Sequence, residues 1–381
     1  MFGEEVTESP IGADGYTPVS NDPKKITIGT GTNEINFYYY KNVELTANSD
    51  EKTYNGNEQT VKPGYTCSEN VTFDNIAEPS GKGTDAGEYP VTFAKGTVGK
   101  VDTSKKYIVT EANPGTLTIR KRSVVLTSET ASKTYDGTAL TKPIVKVTGD
   151  GFAKGEATDI KATGTITDVG SVTNTITFTK GEKFNEDNYA IEKKEGTLTI
   201  TAADAEVIVT IAGNTDNVLY DGNSHSVNGY TVKSISSKLY TVDDFKFNGT
   251  DSVTQTNAGT YPMGLKAEQF SNNNENFKKV TFVVEDGSLT IRKRSVVLTS
   301  ETASKKYDGT ALEKPVVTVT GDGFVAGEVT DIKATGTITN VGSVTNEITF
   351  TKGEKFNEDN YAIEKKEGTL TITAADAEVI V

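Results

Sequence analysis

Tryptophan is absent from the 381 residues, and cysteine and histidine occur once each. The lone cysteine, Cys67, excludes an intrachain disulfide. The domains must therefore hold together without the crosslink that commonly staples small secreted folds. No neighbour in sequence would lower its pKa, and Cys67 reads as a packed strand residue. A lone histidine, His225, cannot build a Cys/His zinc site, and any Ser-His-Asp or Cys-His arrangement would have to use it. It follows Asp221-Gly222-Asn223-Ser224 and reads as an exposed loop residue. No Gly-x-Ser-x-Gly context surrounds a serine. The chain is thus expected to be non-enzymatic, with no catalytic, cofactor-binding or metal-ligating residue assigned.

Positive charge is also short. Against 53 acidic residues stand 39 Lys and Arg, giving a net charge of −14 and a pI near 4.8. Such a surface repels phosphate backbones and anionic membranes, which argues against nucleic acid and membrane insertion as partners. The Arg-Lys-Arg triplets at Arg120–Arg122 and Arg292–Arg294 are too short to reverse this and read as solvated linker charges. No apolar run approaches membrane-spanning length, and Met1-Phe2-Gly3 leads into acidic and polar residues rather than a signal peptide. Convincing helical periodicity is missing too. The plentiful Gly, Thr, Ser, Asn and Val favour short strands and turns.

What is present is repetition. Arg120–Val209 returns 172 positions later as Arg292–Val381 with about nine substitutions, among them Thr134 to Lys306 and Asp168 to Asn340. Internal repeats of this kind define the architecture before any local reading does. Four units share the same ingredients. Each opens on a β-rich run, at Val43–Thr46, Ser123–Thr127, Val207–Ile211 and Ser295–Thr299. A Tyr-Asx-Gly turn follows, at Tyr54, Tyr135, Tyr220 and Tyr307; Asx-Gly tolerates positive φ and reverses the chain. A later turn reads Asp85-Ala86-Gly87, Asp168-Val169-Gly170, Asn257-Ala258-Gly259 and Asn340-Val341-Gly342. Each unit closes on Gly-[Thr/Ser]-Leu-Thr-Ile, whose alternation is that of a half-buried strand.

Units two and four (B) are near copies, whereas units one and three (A) share Gly-[Glu/Thr]-Tyr-Pro at Gly87–Pro90 and Gly259–Pro262. The expected organisation is a lead at 1–41, repeat A1 at 42–120, B1 at 121–202, A2 at 203–292, B2 at 293–373, and the start of a further repeat at 374–381. The A-B-A-B order keeps near-identical neighbours apart, which reduces strand swapping. In the lead, Lys25–Ile28 and Glu34–Tyr40 are expected to pair as a hairpin, after a loop over Pro10–Pro23. Within B1, strands are expected near Val124–Leu126, Lys133–Tyr135, Ile144–Val147, Ile160–Thr163, Thr165–Thr167, Thr173–Phe178, Tyr189–Lys193 and Thr197–Thr201. Lys180–Asn188 has room for one helical turn. The fold class is all-β: four small antiparallel, Ig-like sandwiches end to end as a rod, with a β-grasp-like unit as the alternative. Linkers of two to five residues leave little room for tumbling. At about 3.3 Å per strand residue, four units would span on the order of 150 Å.

The Tyr-Asp-Gly turns at Tyr135 and Tyr307, the Gly-Asp-Gly-Phe turns at Gly149–Phe152 and Gly321–Phe324, Asn188-Tyr189 with Asn360-Tyr361, and the closing Gly-Thr-Leu-Thr-Ile together resemble the MBG/YDG-type tandem repeats of bacterial surface proteins. The match covers about 330 residues, better in B than in A, where Asn55 replaces Asp in the first unit. The lead's Asn33–Lys41 resembles the end of a mucin-binding (MucBP-like) repeat of Gram-positive surface proteins. These resemblances imply an extracellular, cell-surface or wall-attached adhesin-type protein, here as a fragment of a longer chain, and they bring no catalytic residues with them.

Three chemistries compete with a reading of these polar stretches as solvated loops. Glu186-Asp187 and Glu358-Asp359 are paired carboxylates, but a glycosidase needs a cleft that separates their pKa values. Asn185–Asn188 with Asp150 or Asp322 could contribute oxygens to calcium, although no EF-hand or nonapeptide pattern is present. Lys133 with Asn188, and Lys305 with Asn360, are conceivable isopeptide pairs. The leading expectation is a non-catalytic stalk projecting a distal domain, monomeric within its longer chain. The competing one is an adhesive module recognising a host glycan, mucin or extracellular protein, marked by an exposed aromatic patch repeated in both B units; an enzyme accessory domain is more remote. The tyrosine turns and Tyr38–Tyr40 are the candidate sugar platforms.

Overall fold

The structure is a computed structural model that describes residues 1–376, so most of the expected further repeat at 374–381 lies outside the described residues. The chain divides into two compact units, Met1–Lys133 with Thr138–Ile200, and Thr134–Gly137 with the chain from Thr201 onward. The chain is all-β. Among the described residues the helical elements are three-residue 3-10 turns, so the β-grasp-like alternative lacks its helix.

The repeat B2 shows the plan. Its opening strand Arg294–Ser300 lies between Val317–Gly321, antiparallel, and Tyr361–Lys366, parallel. Its closing strand Gly368–Thr373 lies between Ala303–Lys306, parallel, and Gly342–Asn346, antiparallel. Two three-stranded sheets result, and alternate residues face the space between them. Val296, Leu298, Leu370 and Ile372 are buried there, with half-buried Val297 and Thr371 between them. B1 has the same sheet orders, as has A2 around Val207–Gly213 and Ser288–Arg292.

The expected antiparallel pairing is joined by parallel ladders in every repeat. The opening segment, from Arg294 to Lys306, runs beside the closing segment, from Tyr361 to Thr373, in the same direction throughout. Entry and exit therefore fall at opposite ends of the repeat, which is what a tandem array requires. The switch between sheets is tight. A Cβ on Gly368 would sit 2.4 Å from the Glu301 carbonyl oxygen, and one on Gly196 equally close to that of Glu129, so the closing strand must begin on glycine. Ser128 and Asn174 staple the same corner: the Ser128 hydroxyl donates to the Asn174 carbonyl, and Asn174 Nδ2 donates to the carbonyls of Glu129 and Lys142.

Three expectations need correction. The lead does not pair Lys25–Ile28 with Glu34–Tyr40: Lys24–Thr27 pairs with Glu5–Glu8, and Tyr39 instead begins the long strand Tyr39–Ala47 of A1. The loop over Pro10–Pro23 contains the strand Tyr16–Pro18, which adds to that same strand across the expected boundary at 41/42. Finally, Thr173–Phe178 is two strands. Gly170–Asn174 pairs with the closing strand and Ile176–Lys180 with Ala157–Ala162, because Asn174 turns its side chain into the corner where the chain changes sheets. Lys180–Asn188 does hold one turn, a 3-10 turn at Glu186–Asn188 capped by the Asn185 side chain.

Candidate functional site

The most elaborate polar constellation of each unit lies where an A repeat meets its B repeat. In the first unit the Tyr54-Asn55-Gly56 turn of A1 reaches into B1. The Tyr54 hydroxyl donates to Glu156 Oε1 at 2.7 Å, and the Tyr189 hydroxyl donates to Glu156 Oε2 at 2.7 Å. The two rings meet edge to face, 5.7 Å between centroids at 80°. Glu156 is only 2% exposed. A buried carboxylate without a cation is costly, and here the two phenols satisfy one oxygen each. The Ala153 N–H completes the set by donating to the Tyr189 oxygen.

Gly56 is the residue that lets the turn in. Its φ is +81°, and a Cβ there would sit 2.9 Å from Glu156 Oε1. The second A1 turn docks beside the first. Asn188, fully buried, donates from Nδ2 to Asp85 Oδ1 at 2.8 Å and accepts the Ala86 N–H on Oδ1 at 2.7 Å. Arg122 closes the third side: Nη1 donates to the Tyr54 carbonyl at 2.9 Å, Nε to that of Gly151 at 2.8 Å, and Nη2 to that of Asp150. One apolar cluster runs beneath, from Val91, Leu117 and Ile119 of A1 to Val124, Leu126 and Ile176 of B1.

The second unit repeats the arrangement between A2 and B2. Tyr220 and Tyr361 donate to Glu328 at 2.7 Å each, with ring centroids 5.7 Å apart at 82°. Asn360 donates to Asn257 Oδ1 at 3.0 Å and accepts the Ala258 N–H at 2.6 Å. Arg294 donates to the carbonyls of Tyr220, Gly323 and Asp322. Burial, and next the Glu156 hydrogen bond, push the Tyr54 hydroxyl up to about 12; burial, and next the Glu328 hydrogen bond, hold Tyr220 at about 12, and burial also raises Tyr189 and Tyr361. These four hydroxyls stay protonated, and hence remain donors, throughout the neutral range.

This geometry revises several sequence readings. Tyr54 and Tyr220 are 3% exposed and spent on the junction, so they are not sugar platforms; Tyr307 is 43% and Tyr38 69% exposed. Arg122 and Arg294 are not solvated linker charges but clamp residues, while Arg120 stays on the surface against Glu51. Asn188 and Asn360 do not face lysines: Lys133 donates to Thr138, and Lys305 to Asp308 and Thr310. The isopeptide pairs are thereby excluded, because each asparagine amide is held by an A-repeat turn. Glu156 and Glu328 escaped the sequence reading, since a lone glutamate after a Gly-Asp-Gly-Phe turn resembles any surface charge. The available signal was that Gly155-Glu156 recurs as Gly327-Glu328 while Asx-Gly recurs in both A units.

The remaining candidates lie elsewhere. His225 begins the strand His225–Asn228 rather than sitting in an exposed loop, and its Nε2 lies 2.8 Å from Asp221 Oδ1. Hydrogen bonds from the Asn223 N–H, then from His225, lower the Asp221 carboxyl to about 2. Glu186 and Glu358 pair with Lys180 and Lys352 on the surface. Asp150 and Asp322 accept the N–H groups of Ser123 and Ser295. Among the described residues no three His, Cys, Asp or Glu side chains come together as a metal site. Cys67 lies on the strand Tyr65–Cys67, half-buried against the cluster of Val43, Leu45, Phe73 and Val109.

No family model and no curated protein matches this chain. Among solved structures it is similar to the I9–I11 tandem of titin, at 12% identity over 64% of this chain and 99% of that one, with a TM-score of 0.19. It is also similar to the N-terminal eight Ig domains of the Down Syndrome Cell Adhesion Molecule, at 11% identity over 96% of this chain and 64% of that one, TM-score 0.18. The N-terminal four Ig domains of Dscam1 give 9% identity over 81% and 83%, TM-score 0.15. No helix of the described residues is long and apolar enough to cross a membrane.

Proposed function

We propose that the chain is a non-catalytic extracellular stalk of a bacterial cell-surface protein of adhesin type, built from MBG/YDG-like repeats that hold a distal domain away from the cell wall. In this reading the lead belongs to a mucin-binding-type repeat and the chain acts as a monomer. The observation that supports it is the clamp repeated at both A–B junctions. A spacer needs joints that do not bend, and each joint spends a buried glutamate, two buried tyrosines, an asparagine and an arginine on holding two turns. Flexible linkers need none of these.

Stiffness is measurable in the full chain. With Cys67→Ser, spin labels on Lys62→Cys in A1 and Lys146→Cys in B1 report the distance across one junction. A single narrow distribution, broadened by Glu156→Ala, is the expected result. A broad distribution already present in the intact chain would remove the stalk reading.

A further inference from the structure

Of the four Tyr-Asx-Gly turns, the one in B2 stands open. Tyr54 and Tyr220 are buried in the clamps, whereas Tyr307 is 43% exposed and Val341, in the later turn, 58% exposed. Both turns flank the end of the closing strand, with Lys305 and Gly342 facing Ile372 from either side. Large apolar side chains presented together in this way mark a contact surface.

What covers such a turn is seen at Tyr135, in B1's copy of the same stretch. The segment Thr134–Gly137 belongs to the second compact unit. There the Tyr135 N–H donates to the Thr201 carbonyl at 2.8 Å, and its ring meets Phe277 edge to face, 5.5 Å between centroids at 76°. Phe277 is buried and packs in turn on Tyr240 at 5.2 Å. Ala203, just past Thr201, bridges to Phe277. On the other flank Leu239 closes over Gly137, whose φ is +77°; a Cβ there would lie 2.7 Å from Leu239 Cδ2.

B2 presents its turn in the same way. The Tyr307 N–H donates to the Thr373 carbonyl at 2.9 Å, and Gly309 holds φ at +78°. Among the described residues nothing lies over it. A Cβ on Gly309 would meet no atom within 4 Å, and Ala375, the counterpart of Ala203, is exposed. B2 differs from B1 at this end by Lys306 for Thr134 and Asn340 for Asp168. Lys306 is ion-paired with Asp376. The exchange of Asp for Asn is the one that the seated A turns tolerate at Asp85 and Asn257.

The seat is peculiar to A2. In every repeat a strand begins in parallel beside the opening strand, at Tyr107, Tyr189, Val280 and Tyr361. Three residues earlier stand Ser104, Glu186, Phe277 and Glu358. A2 places a ring there, and the other three repeats place exposed polar side chains that offer a tyrosine no edge-to-face partner.

We propose that the Tyr307–Gly309 turn of B2 is a docking plug for a second repeat of A2 type, one with an aromatic side chain at the place of Phe277 and an aliphatic one at that of Leu239. Repeats of A1 or B type are refused. The inference does not rest on the stalk reading, since a stiff or a flexible array could use the same plug.

The test extends the full chain. Ala374–Val381 is identical to Ala202–Val209, so a copy of residues 210–292 joined after Val381 supplies a whole A2-type repeat. Nitration of Tyr307 by tetranitromethane, read by mass spectrometry of its peptide, reports the cover, with buried Tyr54 as the protected reference. In the extended chain Tyr307 should react at least about ten-fold more slowly than in the 381-residue chain. Phe277→Ser in the appended copy, which installs the residue A1 has there, should restore the fast rate. If that variant does not fold, Leu239→Ser in the appended copy, at an exposed position, gives the same reading. Equal reactivity with and without the appended repeat, or protection indifferent to both substitutions, would each overturn the proposal.

Discussion

In the first unit Asn188 holds a carboxylate, Asp85; in the second, Asn360 holds an amide, Asn257. Around that difference the two junctions keep the same glutamate between two tyrosines, the same arginine on three carbonyls and the same alanine N–H on the asparagine. The fit of the entering turn differs too. Beside Gly56 stands Ala153, with Glu156 Oε1 2.9 Å from where a Cβ would be; beside Gly222 stands Val325, with its Cγ1 at 3.2 Å and Glu328 Oε1 at 3.4 Å. A1 and A2 differ far more in sequence than B1 and B2 do. Both A repeats nevertheless keep the tyrosine and glycine of the first docking turn and the alanine of the second. The joint, rather than the repeat, is the unit that is held constant.

The largest expected effect comes from removing the shared acceptor. Glu156→Ala leaves two buried phenol O–H donors without their acceptor and should cost about 2–4 kcal/mol at its junction, and Glu328→Ala should match it, as read by urea denaturation through tyrosine emission. A cost confined to one unit would mean that the joints are not equivalent. Alkaline pH attacks both joints alike. Because Tyr54 and Tyr220 are raised from 10.0 to about 12, the folded state holds these protons more tightly than the unfolded chain. Their contribution is therefore fully present below pH 10 and lost as pH rises toward about 12. Denaturation midpoints should be flat to about pH 9 and then fall in both units.

Smaller substitutions separate the two junctions. Gly56→Ala meets both the left-handed backbone penalty and the Glu156 oxygen, and should cost about 2–3 kcal/mol. Gly222→Ala meets the backbone penalty with a looser contact and should cost about 1–2 kcal/mol. Equal costs would show that the turn gives way as easily in either unit. Smallest is the exchange of the differing partner. Asp85→Asn should weaken the first junction by about 0.5–1 kcal/mol at neutral pH, and Asn257→Asp should strengthen the second by a similar amount, since charge-assisted hydrogen bonds are the stronger kind. Amide exchange at Ala86 and Ala258 reads both changes locally.

Much of this was legible in sequence because it repeats. The opening and closing strands announced themselves through the two-residue spacing of Val124/Leu126 and Leu198/Ile200, which recurs in every unit. The Asx-Gly turns were legible through their backbone requirement. Which side chains leave their own repeat was not. Tyr54 and Tyr135 look alike along the chain, and a tyrosine beside a turn reads equally well as a surface ring or as a plug. Arg122 hides in a basic triplet whose first member, Arg120, is exposed against Glu51. The parallel ladders escaped as well, because pairing partners some 65 residues apart, such as Val124 and Ile191, leave no local mark.

Each A–B junction is a closed clamp rather than a contact between loosely tethered repeats. Hydrogen exchange at the Ala86 and Ala258 amides tests it most directly, because each N–H donates to a buried asparagine of the neighbouring repeat. Both should exchange at least about a hundred-fold more slowly than an open loop amide, and Glu156→Ala should release Ala86 while leaving Ala258 protected. Exchange of both amides at open-loop rates in the unsubstituted chain would contradict it.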